Sequence, residues 1–180
     1  MHTGEYCEIL NTCFEVNRDL SYGRIELGYN FGDHSGKYVG AVTHDNGNVY
    51  AIPNSFDKIM EYDANTGAVN LFGHVPNLDF SYTGGALAAG GHIYGFPRNS
   101  NKLLKIDPQK RTAEEIDLGL DYETCGGVRN HHYSGVIYEG ALICAPRFSD
   151  CILKIDLEDY SVHKLFINDE TAHYNGAILH

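Results

Sequence analysis

Two histidines, His132 and His173, each precede a tyrosine in matching stretches, His132-Tyr133-Ser134-Gly135 and His173-Tyr174-Asn175-Gly176. Imidazoles at equivalent places are the chemistry of an acid/base couple or of metal ligands. Lys37 and Ser81 stand before two further tyrosines, so that Tyr38, Tyr82, Tyr133 and Tyr174 form one series. An aromatic recurring in this way either packs between units or offers a stacking wall to a sugar or small aromatic ligand. His34 and His131 lie close by in sequence. Asp33, Asp79, Asp169 and Glu170 supply oxygens of the kind that hold a hard cation. Arg98 and Arg147 each follow a proline, with Asn54 as their counterpart, and a converging arginine pair suits a carboxylate or another anion.

The candidate catalytic residues are therefore His132 and His173. The candidate ligand-binding set is Lys37, Tyr38, Tyr82, Arg98, His132, Tyr133, Arg147, His173 and Tyr174. The candidate cation set is Asp33, Asp79, Asp169 and Glu170. Each has a plainer alternative: a packing aromatic, a surface histidine or a solvated loop charge. His44 and His180 form a further equivalent pair. No Ser/His/Asp grouping, phosphate-cradling loop or paired carboxylate motif stands out.

The elements that must position these residues are repeats. Segments beginning at Lys37, Ser81 and His132 share an order. An aromatic-x-Gly opening leads into an apolar run, a Gly-marked turn and an apolar strand ending in Pro53, Pro97 or Pro146. A polar loop, an alternating strand ending in Asp63, Asp107 or Asp156, a turn and a last strand follow. In the first repeat the strands are expected at 39–43, 48–52, 58–62 and 68–72, hereafter A to D in each repeat. Asp45-Asn46-Gly47 and Asn65-Thr66-Gly67 provide the positive-φ turns.

A fourth copy is split. The last residues, from His173, read as the opening of a repeat, and residues 1–36 read as its remainder. A spacing of roughly 40–50 residues fits four strands per unit. The expected fold is all-β, a single domain over 1–180. It is a β-propeller of four four-stranded blades at about 37–80, 81–131, 132–172 and 173–180 plus 1–36. The last blade would be closed by strand A from the C-terminus and strands B–D from the N-terminus. The same split permits strand exchange, giving an eight-bladed ring from a homodimer. With strand A on the axis, the D–A and B–C loops share one face, which collects most of the residues named above.

Composition bounds the rest. With 24 acidic and 13 basic residues the formal charge is −11, which speaks against a nucleic-acid partner or an anionic membrane surface. No apolar run reaches the roughly 18–20 residues of a membrane span, and the first residues lack a signal peptide's pattern, so a cytoplasmic location is expected. Among the five cysteines, Cys7/Cys13 and Cys144/Cys151 would fall on neighbouring strands; free, partly buried thiols are expected over local bridges. No cofactor is expected, a cation on the axis being the one such group the acidic loops leave open.

The stretch Gly90-Gly91-His92-Ile93-Tyr94-Gly95-Phe96, followed by Leu103 to Pro108, resembles kelch-type propeller repeats. The Asp-then-turn signature at Asp63, Asp107 and Asp156 resembles repeats of NHL-type and virginiamycin-lyase-like propellers. Pro-Asn and Pro-Arg stand where kelch strands carry a second glycine pair, and tryptophan is absent. The resemblance implies a propeller that binds or scaffolds. The expected function is a binding module presenting its loop face to a small polar ligand, a glycan or a partner protein. The alternatives are a lyase or hydrolase using His132 and His173 with a bound cation, and a self-assembling scaffold.

Overall fold

In a strand, successive side chains point to opposite faces, so a strand that is apolar at every position must be covered on both sides. The second strands of the repeats behave in this way, and their burial accounts for the architecture. The computed structural model describes residues 12–16, 22–26, 36–76, 80–120, 132–167, 174 and 177–178. The described residues form strands and turns, with no helix among them.

The first blade comprises β3 (Tyr38–Thr43), β4 (Val49–Pro53), β5 (Ile59–Tyr62) and β6 (Val69–Phe72). The second comprises β7 (Tyr82–Leu87), β8 (Ile93–Pro97), β9 (Lys102–Asp107) and β10 (Thr112–Asp117). The third comprises β11 (His132–Tyr138), β12 (Ala141–Pro146), β13 (Cys151–Asp156) and β14 (Val162–Phe166). Each is an antiparallel meander in chain order. Ahead of them, β1 (Thr12–Val16) pairs with β2 (Tyr22–Glu26) as a hairpin. The strands of the first blade lie within a residue of their expected limits, and each B strand ends on its proline, which has no N–H to pair further.

Alternation divides the middle blade between two cores. Leu104 and Ile106 of β9 pack with Tyr50, Ile52, Ile59 and Phe72 of the first blade. Leu103 on the same strand packs with Leu142, Cys144, Leu153 and Ile155 of the third. Each of these side chains is buried, and burial of a Leu or Ile contributes about 1.5–3 kcal/mol. A single blade could cover neither face alone, and stacking covers both.

The A strands of neighbouring described blades touch. A Cβ placed on Gly40 would lie 2.7 Å from the Cα of Gly84, backbone against backbone across two blades. Both glycines have positive φ, at 77° and 67°, and both sit in the one-residue bulge that opens each A strand. That close approach is the physical content of the aromatic-x-Gly opening.

The third blade departs from the expected overlay by one residue. Its bulge falls at Tyr133, between His132 and Ser134, and His132 pairs with Pro146 just as Tyr38 pairs with Pro53 and Tyr82 with Pro97. The glycines agree: a Cβ on Gly85 would strike the carbonyl of Tyr94, and one on Gly135 that of Ile143. His132 thus takes the tyrosine slot, not the slot of Lys37 and Ser81 in which the sequence overlay puts it. A bulge shifts register without leaving a mark in the motif.

The expected zip between the first and last segments falls on residues outside the described ones. Of the final segment, the Tyr174 amide donates to the Pro146 carbonyl at 3.2 Å. Cys144 and Cys151 are buried thiols with no disulfide between them. Burial alone pushes the Cys144 thiol up to about 12.

Candidate functional site

Backbone hydrogen bonds lace the loop end of the blades together. The Lys37 carbonyl accepts from the amides of Asn54 (2.7 Å) and Ser55 (3.2 Å), which ties the B–C loop to the start of its own strand A. The Ser81 carbonyl does the same for Arg98 (2.9 Å) and Asn99 (3.3 Å). The Ser81 amide then crosses to the Asn54 carbonyl of the preceding blade at 3.0 Å, and the Asn54 side-chain amide donates to the Tyr82 carbonyl. In the first two blades the residues that enter strand A therefore lie on one face with the B–C loops.

Side chains on this face fall into two groups. The first points into its own blade. Tyr82 is wholly buried, with its hydroxyl on the Glu115 carboxylate and 3.4 Å from Ser100 Oγ. His132, in the equivalent slot, is also wholly buried, its Nε2 3.3 Å from the Cys151 carbonyl. Ser100 and Ser149 cap strand C in both blades by accepting the amides of Lys102 and Cys151. In the first blade Phe56 replaces that serine, and Tyr38 packs against it with ring centroids 5.6 Å apart. The tyrosine series therefore forms no single wall, because two of its rings turn beneath their B–C loops.

The second group faces outward. Arg98 stacks over Phe80 at 4.9 Å from the ring centroid, and Arg147 over Phe148 at 5.1 Å. Phe80 and Phe148 are among the exposed large apolar side chains. Nothing in the aromatic or glycine pattern of the sequence singles out these two phenylalanines, and the arginine that covers each ring is the signal that could have found them. Tyr174 is also exposed.

The polar bookkeeping at this end is uneven. Among the described residues, Lys37 Nζ, Asn54 Oδ1, Ser55 Oγ and Ser134 Oγ are buried at this end without a hydrogen-bond partner. Lys37 is only 6% exposed. Buried polar groups are nearly always satisfied, so these atoms stand out from the rest of the described chain.

His173, His34, His131, His180, Asp33, Asp79, Asp169 and Glu170 lie outside the described residues, as does the Tyr133 side chain. Among the described residues no three His, Cys, Asp or Glu side chains are grouped to hold a metal ion.

The opposite end carries a cleft of about 420 Å³ between the first two blades, lined by His44, Asn46, His92, Asp107, Gln109 and Lys110. Several of its polar groups pair with neighbours. His44 joins the Gly91 carbonyl (3.0 Å) and takes the Asn46 amide, and Asp107 pairs with Lys110 at 3.0 Å.

No known protein family matches the sequence, and no curated protein does. Solved structures share the fold. A streptogramin B lyase superposes with a TM-score of 0.70 at 15% identity, over 91% of this chain and 50% of that one. Virginiamycin B lyase from Staphylococcus aureus with quinupristin gives 0.69 at 13%, over 92% and 52%. A nidogen/laminin complex gives 0.59 at 13%, over 86% and 54%. The chain spans about half the length of these structures and is a β-propeller module by likeness to them.

Proposed function

We propose that this propeller module binds a small polar ligand on its loop face, across the seam between the first and second blades. The observation that carries the reading is that, among the described residues, Lys37 Nζ, Asn54 Oδ1 and Ser55 Oγ lie buried beside that seam without hydrogen-bond partners. Beside them, the exposed Phe80 ring under Arg98 offers a flat apolar surface with a cation attached. Such a surface suits the C–H face of a sugar or a similar ring. Sites of this kind sit on loops held by a rigid scaffold. The neighbouring folds include a lyase with a bound small molecule and a protein complex, so the architecture serves either use. The described side chains favour the small ligand, since the orphaned groups are recessed and a flat protein surface would not reach them.

The test is amide chemical-shift mapping of the 20.0 kDa chain against a panel of monosaccharides, sugar acids and amino acids. Shifts confined to residues 53–57, 80–82 and 97–101 support the reading. Shifts confined to the His44–Lys110 cleft, or no shifts from any compound at millimolar concentration, overturn it.

A further inference from the structure

The corner formed by Gly36, Lys37, Asn54 and Ser55 is chemically unlike its counterpart in the second blade. There the slot of Lys37 is filled by Ser81, buried like Lys37 but carrying no charge. In the first blade the slot holds an amine on a four-carbon stem, and the buried Nζ meets no acceptor. A buried ammonium without a counter-charge is among the costliest groups a fold can retain. Ser55 Oγ and Asn54 Oδ1, both buried, are orphaned on the loop whose amides hold the Lys37 carbonyl. Gly36 borders the corner, since a Cβ there would be in van der Waals contact with Asn54 Oδ1 at 3.6 Å and with the Phe80 ring at 3.7 Å.

The inventory of unmet groups defines what would complete it. Lys37 Nζ is a donor with positive charge, Ser55 Oγ a donor or acceptor, and Asn54 Oδ1 an acceptor only. A carboxylate answers the first two, and a hydroxyl donor answers the third. One lysine in a chain of charge −11 matches a monoanion better than a phosphate dianion. We infer that this corner is the seat of a small hydroxy acid, such as a sugar acid, with its carboxylate on Lys37 Nζ and Ser55 Oγ and a hydroxyl on Asn54 Oδ1. Phe80 under Arg98 lies at its rim. The inference rests on the loop-face reading above and names the ligand class for it.

Melting temperatures of the full chain and of two variants, Lys37→Met and Ser55→Ala, test it with D-glucuronate, D-glucose, propionate and inorganic phosphate as probes. Glucuronate at about ten times its dissociation constant is expected to raise Tm by roughly 3–6 °C. Glucose, which lacks the charge, and propionate, which lacks the hydroxyls, should raise it by less than half of that. Lys37→Met should melt higher than the parent in buffer, because it removes an orphaned charge, and should bind glucuronate at least tenfold more weakly. Ser55→Ala should fold as the parent does and weaken glucuronate several-fold, which keeps the test open even if Lys37→Met does not fold.

Equal stabilisation by glucose or by phosphate would overturn the choice of ligand class. So would a Lys37→Met that folds and melts lower than the parent, or a Ser55→Ala with undiminished glucuronate binding. Absence of any glucuronate effect would overturn the seat as well. If the shift mapping above still finds another compound on the loop face, the binding reading stands and only the hydroxy-acid assignment falls.

Discussion

The two ends of the propeller obey opposite rules. At the turn end each of the three described blades closes on an aspartate that accepts backbone amides: Asp63 from Asn65 and Thr66, Asp107 from Lys110, Asp156 from Glu158. The residue in the left-handed position of that turn is Gly67, Arg111 or Tyr160, with φ of 73°, 56° and 61°. The two non-glycines use their side chains to latch onto strand C of the blade before. Arg111 pairs with Glu61 at 2.7 Å, and the Tyr160 hydroxyl accepts from Lys105 at 3.0 Å. Glu61 is a buried hub that also accepts from Asn48 and Tyr50. At the loop end, by contrast, buried polar atoms go unmatched. The contrast is one of polar pairing: Glu61 is fully engaged at the turn end, and Lys37 Nζ is not at the loop end.

Substitutions can break this contrast. The largest effect is expected at Gly40, where the two ends are joined through the central strands. Gly40→Ala adds left-handed strain and drives a methyl into the Gly84 backbone, costing about 3 kcal/mol or more. Chemical denaturation measures it, and a cost under about 1 kcal/mol would mean that the A strands do not touch.

Next comes the latch at the first seam. Arg111→Ala leaves the buried Glu61 carboxylate short of its cation, at about 1–3 kcal/mol. Arg111→Gly should cost about 1 kcal/mol less than Arg111→Ala, since glycine relieves the positive φ. Equal losses for the two variants would remove the strain from the account.

The second seam sharpens the contrast through pH. Burial first, and the Tyr160 hydroxyl second, push the Tyr94 phenol up to about 12. Cys144 is raised as far by burial alone. Both groups stay neutral in the fold after their unfolded counterparts ionise, near 9.0 for the thiol and 10.0 for the phenol. Their contribution is therefore whole below about pH 9 and is lost as pH rises from there towards 12. Tyr94→Phe should flatten the upper part of that decline in a Tm-versus-pH series, and an unchanged slope would refute the assignment.

The smallest effect belongs to the exposed turn at Asp63. Backbone amides of Asn65 and Thr66 hold its carboxyl below the ordinary 3.8. Its contribution is present above that value and is lost as pH falls through the lowered one. Asp63→Ala should lower Tm slightly at pH 7 and by less as the pH falls below 3.8; an equal loss throughout would locate its role elsewhere.

Much of this could be read from residue order. The four-strand period, the prolines closing strand B, the aspartates at the second turn and the shared loop face all follow from local chemistry and repetition. The site was legible only in part. Lys37 and Arg98 were found as candidates because they stand at repeat positions. Asn54 was seen only as the counterpart of an arginine, and Ser55 and Phe80 went unnoticed, since neither type repeats there. The slot of His132 was missed by one residue, because a bulge inserts a residue without changing the motif around it.

Alternation and turn residues act over a few neighbours, so the sequence by itself determined that these strands form, in which order they pair, and that both faces of each sheet need a cover. Whether a given polar atom is satisfied depends on what another blade brings to it across dozens of residues. Only the tertiary structure could decide that Tyr82 reaches Glu115 while Lys37 Nζ reaches nothing.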